Sequence, residues 1–432
     1  MKRVLVISYY WPPSGGSGVQ RWVKMCKYLP LSGWQSVVYT PENPALTATD
    51  GTLGSDVPPE VEILRHPILE PGQFARKSTN EQVTPINGGK KTLKQRIAMW
   101  IRGNCFIPDP RVVWVGPSVR WLTKYLKKHP VDAIVSTGPP HSMHLIARRL
   151  AARTGLPWIA DFRDPWTRMF YFKHLSLTSC AEKKHVRLEK SVLDGATRVV
   201  AVSPLVQEEF RQMTSTPVEL ITNGFDEDDF PPRDTAASQS SDGHFTILHA
   251  GLFAADGNPD ALWRAMEKLT ETDGAFASSL RLVLCGKTDR EVLDSITGNA
   301  LVDYMENLGY LDHSEVVRHI SDASVLLLPL RKEPEYRATL PGKLFEYLAS
   351  RRPILGIGQK DGAMAAVLQE TGAGEVFDWD EENAIYEWLK DKFEKFKEGG
   401  LRDNEADLSR YTRKNLAEAY AALLDSVCKP GK

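Results

Sequence analysis

Lys343 and Glu346 stand three residues apart in LPGKLFEYLASRRPILGIG, Leu340 to Gly358. Pro341 suits a first helical turn, and Leu344, Phe345 and Leu348 make an apolar stripe behind it. At about 100° per residue the lysine and the glutamate fall on one side of that turn, away from the stripe. A helix N-terminus, a cation and a carboxylate can together hold a nucleoside diphosphate, with phosphate on the helix end and Lys343 and the ribose hydroxyls on Glu346. The same pair also reads as an exposed ion pair worth roughly a few tenths of a kcal/mol.

A second cluster lies in SYYWPPSGGSGVQRWV, Ser8 to Val23. A strand-like run ends in two prolines; Gly15, Gly16 and Gly18 follow, and then Val19, Trp22, Val23 and Cys26 at helical spacing. Strand, glycine loop and helix start aim free N–H groups at one spot, and the missing Cβ atoms admit a bulky anion. Phosphate suits such a loop, and so does a tight turn with no ligand. The spacing is neither the Walker pattern nor GxGxxG, and Tyr39, Thr40 and Pro41 stand where an adenosine ribose needs an acid. Nicotinamide binding is not expected.

Two further loops follow strands. DFRDPW carries Asp161, Arg163 and Asp164 at a strand's carboxyl end, where doubly wound sheets place ligands. Asp164 either binds a ligand hydroxyl or pairs with Arg163 to fix the loop. STGPPHSMH sets His141 near a helix start, as a contact to ligand hydroxyls or as a packing residue. His141 and His144 alone are too few ligands for a metal. DEDD, Asp226 to Asp229, reads as a solvated linker, so no metal is expected there either.

The elements that must position these residues alternate between β-rich apolar runs and helical stretches, the pattern of parallel sheets wrapped by helices. Strands are predicted at Arg3 to Tyr9, Ser36 to Thr40, Val61 to Leu64, Asp132 to Ser136, Trp158 to Asp161, Arg198 to Ser203 and Glu219 to Thr222. A polar stretch rich in Pro, Ser and Asp interrupts the alternation, which restarts with FTILHAG, LRLVLCG, SVLLLPL and RPILGIG. The expected organisation is an α/β chain with a first domain at 1–225, a linker at 226–244 and a second domain at 245–405. A final helix at about 411–432 crosses back to the first domain. The chain has 432 residues, 42% of them hydrophobic, enough for two large cores. Five scattered cysteines without CxxC spacing fit a reducing compartment. The apolar run after Lys2 and Arg3 ends at Pro12, so neither a signal peptide nor a membrane span is expected, and cytoplasmic location is.

Five motifs taken in order resemble a known family: SYYWPPSGGSGVQRW, DFRDPW, NGFD at Asn223 to Asp226, HAGLF at His249 to Phe253, and PGKLFEYLASRRPIL. Together they are similar to GT-B glycosyltransferases of the retaining family four type. That resemblance implies two Rossmann-like doubly wound domains facing across a cleft. The nucleotide-sugar donor is then held mainly by the second domain, at Gly251, Lys287, Gly342, Lys343, Leu344 and Glu346, with Gly15, Gly16 and Gly18 at its diphosphate. The acceptor is held mainly by the first, at His141, Asp161, Arg163 and Asp164, and Lys343, His141 and Asp164 are the catalytic candidates.

Two departures stand out. Where the family carries a sugar-contacting glutamate eight residues before Glu346, this chain has Ala338, and LFAADGNPDAL after Gly251 has no base. Lys287, Lys343, Arg331, Lys332 and Arg337 can stand in, and Lys343 is the choice made here. The expected activity is transfer of a sugar to a glycan or lipid-linked acceptor in cell-surface polysaccharide or glycolipid synthesis, with retention and without metal or other cofactor. A nucleotide-sugar epimerase of the same fold and a non-catalytic partner are the alternatives.

Charge adds one local signal. The net charge of -1 leaves no global field to attract nucleic acid. From Lys90 to Lys128, however, Lys90, Lys91, Lys94, Arg96, Arg102, Arg111, Arg120, Lys124, Lys127 and Lys128 face Asp109 as the one acid, interleaved with Trp100, Ile101, Phe106, Trp114 and Trp121. Such a stretch suits an anionic membrane surface and equally a solvated helix face over core tryptophans.

Overall fold

The structure is a computed structural model that describes residues 1–15, 17–45, 52–70, 93–230, 243–399, 401 and 405–428. Gly16, the 72–91 segment and most of the polar stretch before His244 lie outside the described residues. The chain divides into two units, Met1–Thr222 with Arg413–Lys432, and Asn223–Thr412.

In the first unit seven parallel strands run in the order β3-β2-β1-β4-β5-β6-β7. They are β1 (Lys2–Ile7), β2 (Trp34–Pro41), β3 (Glu62–His66), β4 (Ala133–Gly138), β5 (Trp158–Phe162), β6 (Arg198–Ala201) and β7 (Val218–Leu220). Helices α1 (Ser17–Tyr28), α2 (Leu93–Cys105), α3 (Val112–Leu126), α4 (Ser142–Thr154), α5 (Ser179–Leu193) and α6 (Pro204–Met213) connect them. The runs VLVI and AIVS are buried throughout, as strands covered on both faces require.

The second unit repeats the plan with six parallel strands in the order β10-β9-β8-β11-β12-β13. These are β8 (Phe245–Ala250), β9 (Leu280–Cys285), β10 (Met305–Gly309), β11 (Val325–Pro329), β12 (Ile354–Ile357) and β13 (Gly374–Phe377). Its helices are α7 (Asp260–Thr272), α8 (Gly274–Ser279), α9 (Arg290–Gly298), α10 (His313–Asp322), α11 (Gly342–Ser350), α12 (Ala363–Thr371) and α13 (Glu382–Lys397). Both sheets are Rossmann-like. Each reverses its strand order beside its first strand, between β1 and β4 and between β8 and β11, and such switch points are where open α/β sheets bind ligands.

The last helix, α14 (Arg413–Val427), belongs to the first unit. Leu416, Ala417, Tyr420 and Leu424 join the core of Val19, Trp22 and Val23, with Tyr420 edge-on to Trp22 at 5.2 Å. Its Asp425 receives Lys2 at 2.6 Å and the Trp34 indole at 3.1 Å.

Two expectations change here. The DEDD stretch is not wholly solvated: Asp226 is buried, caps the turn Glu227–Asp229, and follows Phe225, whose N–H donates to Tyr411 O at 3.0 Å. The basic stretch is not one surface. Arg111 turns inward to Glu70 at 3.0 Å and to the Tyr9 hydroxyl at 3.1 Å, and Trp114 is buried, stacked on Tyr39 at 4.9 Å. Burying α3 on one face consumes its tryptophans and leaves Arg120, Lys124 and Lys127 exposed on the other.

Candidate active site

At the switch point of the second unit, Gly251 follows the end of β8 and Gly286 follows the end of β9, with φ of +106° and +127°. Glycine is required at both for space as well as for backbone angle. A Cβ on Gly286 would meet Gly251 O at 2.4 Å, and one on Gly251 would lie 1.9 Å from Lys343 Nζ. The Lys343 side chain therefore folds back from the first turn of α11 to lie over the Gly251 backbone. Its ammonium makes no hydrogen bond or ion pair among the described residues. Burial lowers its pKa, opposed by the charge of Glu346. A desolvated cation beside the N–H groups of a helix start is a receptor for an anion.

Tyr347 sets the position of α11. Its buried hydroxyl accepts from Ala250 N at 2.9 Å and donates to Leu327 O at 3.4 Å, clipping the helix to the end of β8 and the middle of β11. His249 packs beneath, its Nδ1–H donating to Leu327 O at 3.0 Å. Burial, with the charge of Lys343 behind it, pushes His249 down to about 4, so the imidazole is neutral at physiological pH. Glu346, partly buried, lies 3.4 Å from Nε2 of His313, which opens α10 behind the capping box of Asp312 and Glu315.

The other sequence candidates in this unit sort clearly. Gly342 begins α11 with its N–H unused by the helix, whereas the Leu344 side chain is in the core and its N–H donates to Pro341 O at 3.0 Å, which removes Leu344 as a donor contact. Lys287 is exposed beside Gly286. Arg331 is held by Asp256 at 2.7 Å and Arg337 by Asp361 at 2.9 Å. Ala338 ends the turn Pro334–Ala338.

In the first unit the loops after β1, β4 and β5 converge. Gly15 is partly buried, and a Cβ on Gly18 would lie 2.5 Å from Arg163 Nη1, so the glycine of the first loop makes room for the arginine of DFRDPW. Arg163 also donates through its backbone to Gly138 O at 2.9 Å and through Nη2 to Pro139 O, and it lies 5.8 Å from the Tyr10 ring. The sequence kept these two motifs apart as donor and acceptor walls; the structure joins them at the start of α1. Asp164 is partly buried with no hydrogen bond among the described residues, and burial raises its pKa.

Asp161 is a correction. It is fully buried, and its carboxylate receives Arg21 at 2.8 and 3.1 Å and the Trp22 indole at 2.8 Å. The reason is register: β5 continues to Phe162, so Asp161 is still inside the sheet, opposite Val200. His141 precedes α4 and is buried, stacked on Trp166 at 4.8 Å and 4°, with neither ring nitrogen hydrogen-bonded among the described residues. Burial, reinforced by His144 and Arg163, holds its pKa well below the ordinary histidine value. The cap of α4 is instead Asp109, which accepts from Ser142 N and Oγ, each at 2.9 Å. Among the described residues no group of three His, Cys, Asp or Glu side chains gathers as a metal ligand set.

Residues 15–224 match the family model described as a glycosyl transferase 4-like domain, and residues 244–391 match glycosyl transferases group 1. The chain belongs to the group 1 glycosyltransferases. Solved structures agree in fold. Sucrose-phosphate synthase of Thermosynechococcus elongatus superposes with a TM-score of 0.65 at 15% identity, covering 99% of each chain. Anabaena HepE in complex with UDP-glucose gives 0.63 at 14%, over 99% of this chain and 100% of that one. A UDP-N-acetylglucosamine 2-epimerase from Listeria monocytogenes gives 0.57 at 11%, over 98% and 96%. At these identities the likeness establishes the GT-B architecture of this glycosyltransferase and nothing finer. Among curated protein sequences none matches the chain.

Residues that sequence reasoning missed are Gly286, Tyr347, His249 and His313. Glycine after a strand and a polar residue within a helix were visible signals for the first two. His313 reaches Glu346 only through tertiary packing.

Proposed function

We propose that this glycosyltransferase moves a sugar from a nucleotide-sugar donor to a glycan or lipid-linked acceptor, with retention and without a metal. The observation that carries the reading is the Lys343 ammonium, desolvated over Gly251 at the start of α11 and without a hydrogen bond or ion pair among the described residues. Lys343 and the N–H groups of Gly342 and its neighbour bind the donor diphosphate, while Glu346 accepts from the ribose hydroxyls. As the bond from the anomeric carbon to phosphate breaks, negative charge grows on the leaving oxygen beside Lys343. The acceptor oxygen bonds to that carbon on the same face, and its proton passes to the leaving phosphate. No protein base is required. Arg163, Asp164 and the neutral His141 are the acceptor-side contacts.

The test is calorimetry of the purified chain with UDP, GDP, ADP, CMP and dTDP in EDTA. One hit, at 100 times its Kd, should stabilise the fold by about 2.7 kcal/mol in a parallel melt. No binding to any of the five overturns the reading. Epimer formation from a nucleotide sugar without acceptor would favour an epimerase of the same fold instead.

A further inference from the structure

Helix α2 presents an apolar face that nothing among the described residues covers. Leu93, Ile97, Trp100 and Ile101 are 71%, 51%, 45% and 41% exposed. They fall at i, i+4, i+7 and i+8, one stripe about 100° wide along a helix of 13 residues. Single exposed apolar residues are ordinary, but four in register on one helix are not. The helix is held to its unit at its last turn. A Cβ on Gly103 would meet Leu175 O and Leu177 Cδ2, both at 2.9 Å, so glycine lets the helix sit directly on that loop. Asn104 then fastens it, donating to Ser176 O at 3.2 Å and accepting from Thr178 N at 2.7 Å. With its last turn pinned, the stripe stays outward.

Charge selects the occupant. From Gln82 to Pro108 there is no Asp or Glu, while Lys90, Lys91, Lys94, Arg96 and Arg102 are all basic. Arg96 and Arg102 are exposed on the helix itself. We infer that α2 is an interfacial helix that docks the first unit on an anionic lipid bilayer, its four apolar side chains entering the headgroup boundary and its bases meeting lipid phosphates. Trp100 suits that depth because the indole is apolar in body and polar at its N–H. Among the described residues no helix is long and apolar enough to cross a membrane, so attachment through α2 lies along the surface. Such docking would bring the enzyme to the lipid-linked acceptor of the proposed function, and it does not depend on the donor reading.

The experiment is co-sedimentation of the full chain with phosphatidylglycerol–phosphatidylcholine vesicles and with phosphatidylcholine vesicles alone. The chain should pellet with the anionic vesicles and be released by salt. Leu93→Ser/Ile97→Ser, and separately Arg96→Glu/Arg102→Glu, should each lower the bound fraction about tenfold, with far-UV circular dichroism and melting unchanged. Brominated lipid should quench tryptophan fluorescence in the wild type and not in Trp100→Phe, which still pellets. Pelleting unaffected by the variants, equal pelleting with both vesicle types, or no pelleting overturns the inference. So does a dimer in sedimentation velocity that the serine variant abolishes, since a second copy would then cover the stripe. Calorimetry with nucleoside diphosphate on the same preparations reports the donor site independently.

Discussion

Gly251 and Lys343 share a volume that only one side chain can occupy. Gly251→Ala would place a methyl 1.9 Å from Lys343 Nζ at a φ of +106°, displacing the ammonium and straining the backbone. Its expected effect is a loss of nucleoside diphosphate affinity of at least about tenfold, with stability lowered by about 1–3 kcal/mol. Lys343→Met should lose the same affinity while melting at or above the wild-type temperature, because a desolvated cation with no ion pair among the described residues is removed. Wild-type affinity in the methionine variant would strip Lys343 of its role. The pH behaviour of this core follows from His249, held neutral at about 4 against an ordinary 6.5. Between those values the unfolded chain binds more protons, so stability falls as pH falls, by up to about 1.4 kcal/mol per pH unit for this residue. Urea melts from pH 7.5 to 4.5 check it, with His249→Gln expected to show a shallower decline and an equal decline sinking the assignment. Lys343 was legible because a charged residue beside an apolar stripe announces its exposed side. His249 was quoted as part of a motif without a role, since burial is not visible in one residue.

Helix α11 works only where Tyr347 holds it. Tyr347→Phe leaves Ala250 N–H and Leu327 O without their shared partner and should cost about 1–3 kcal/mol in denaturant melts. It should also weaken diphosphate binding, because the helix start is no longer fixed over Gly251; full stability with full affinity would dismiss the clip. On the first sheet, β5 runs one residue further than the sequence reading allowed, and that single step turned Asp161 from a surface ligand into a buried partner of Arg21. Asp161→Asn should therefore act on the fold, costing about 3–5 kcal/mol by leaving the guanidinium buried and unmatched. A stable variant with only a raised acceptor KM would restore the ligand reading. The inner strands were readable as apolar β-branched runs, whereas β10 and β13, MENLG and GEVF at the sheet margins, were passed over: short and half-polar, they satisfy a strand only because a neighbour offers a free edge.

Across the whole molecule, alternating runs implied parallel sheets wrapped by helices, with passages of the chain between units expected at 226–244 and at about 411. Those passages fall at Thr222 and Thr412, and the segments flanking them pair, with Phe225 bridged to Thr412. The second unit is thus a closed loop of chain inserted into the first. Residues 223–412 expressed alone should give a cooperative unfolding transition, whereas residues 1–412 should lose the first unit's transition, because α14 supplies Leu416, Tyr420 and Leu424 to its core. Calorimetric scans of the two fragments decide it, and an intact first-unit transition without α14 would refute the dependence. The same arrangement fixes an order of birth. On the ribosome the inserted unit is complete while the older half of the chain still lacks its closing helix, so the first domain synthesised is the last able to fold.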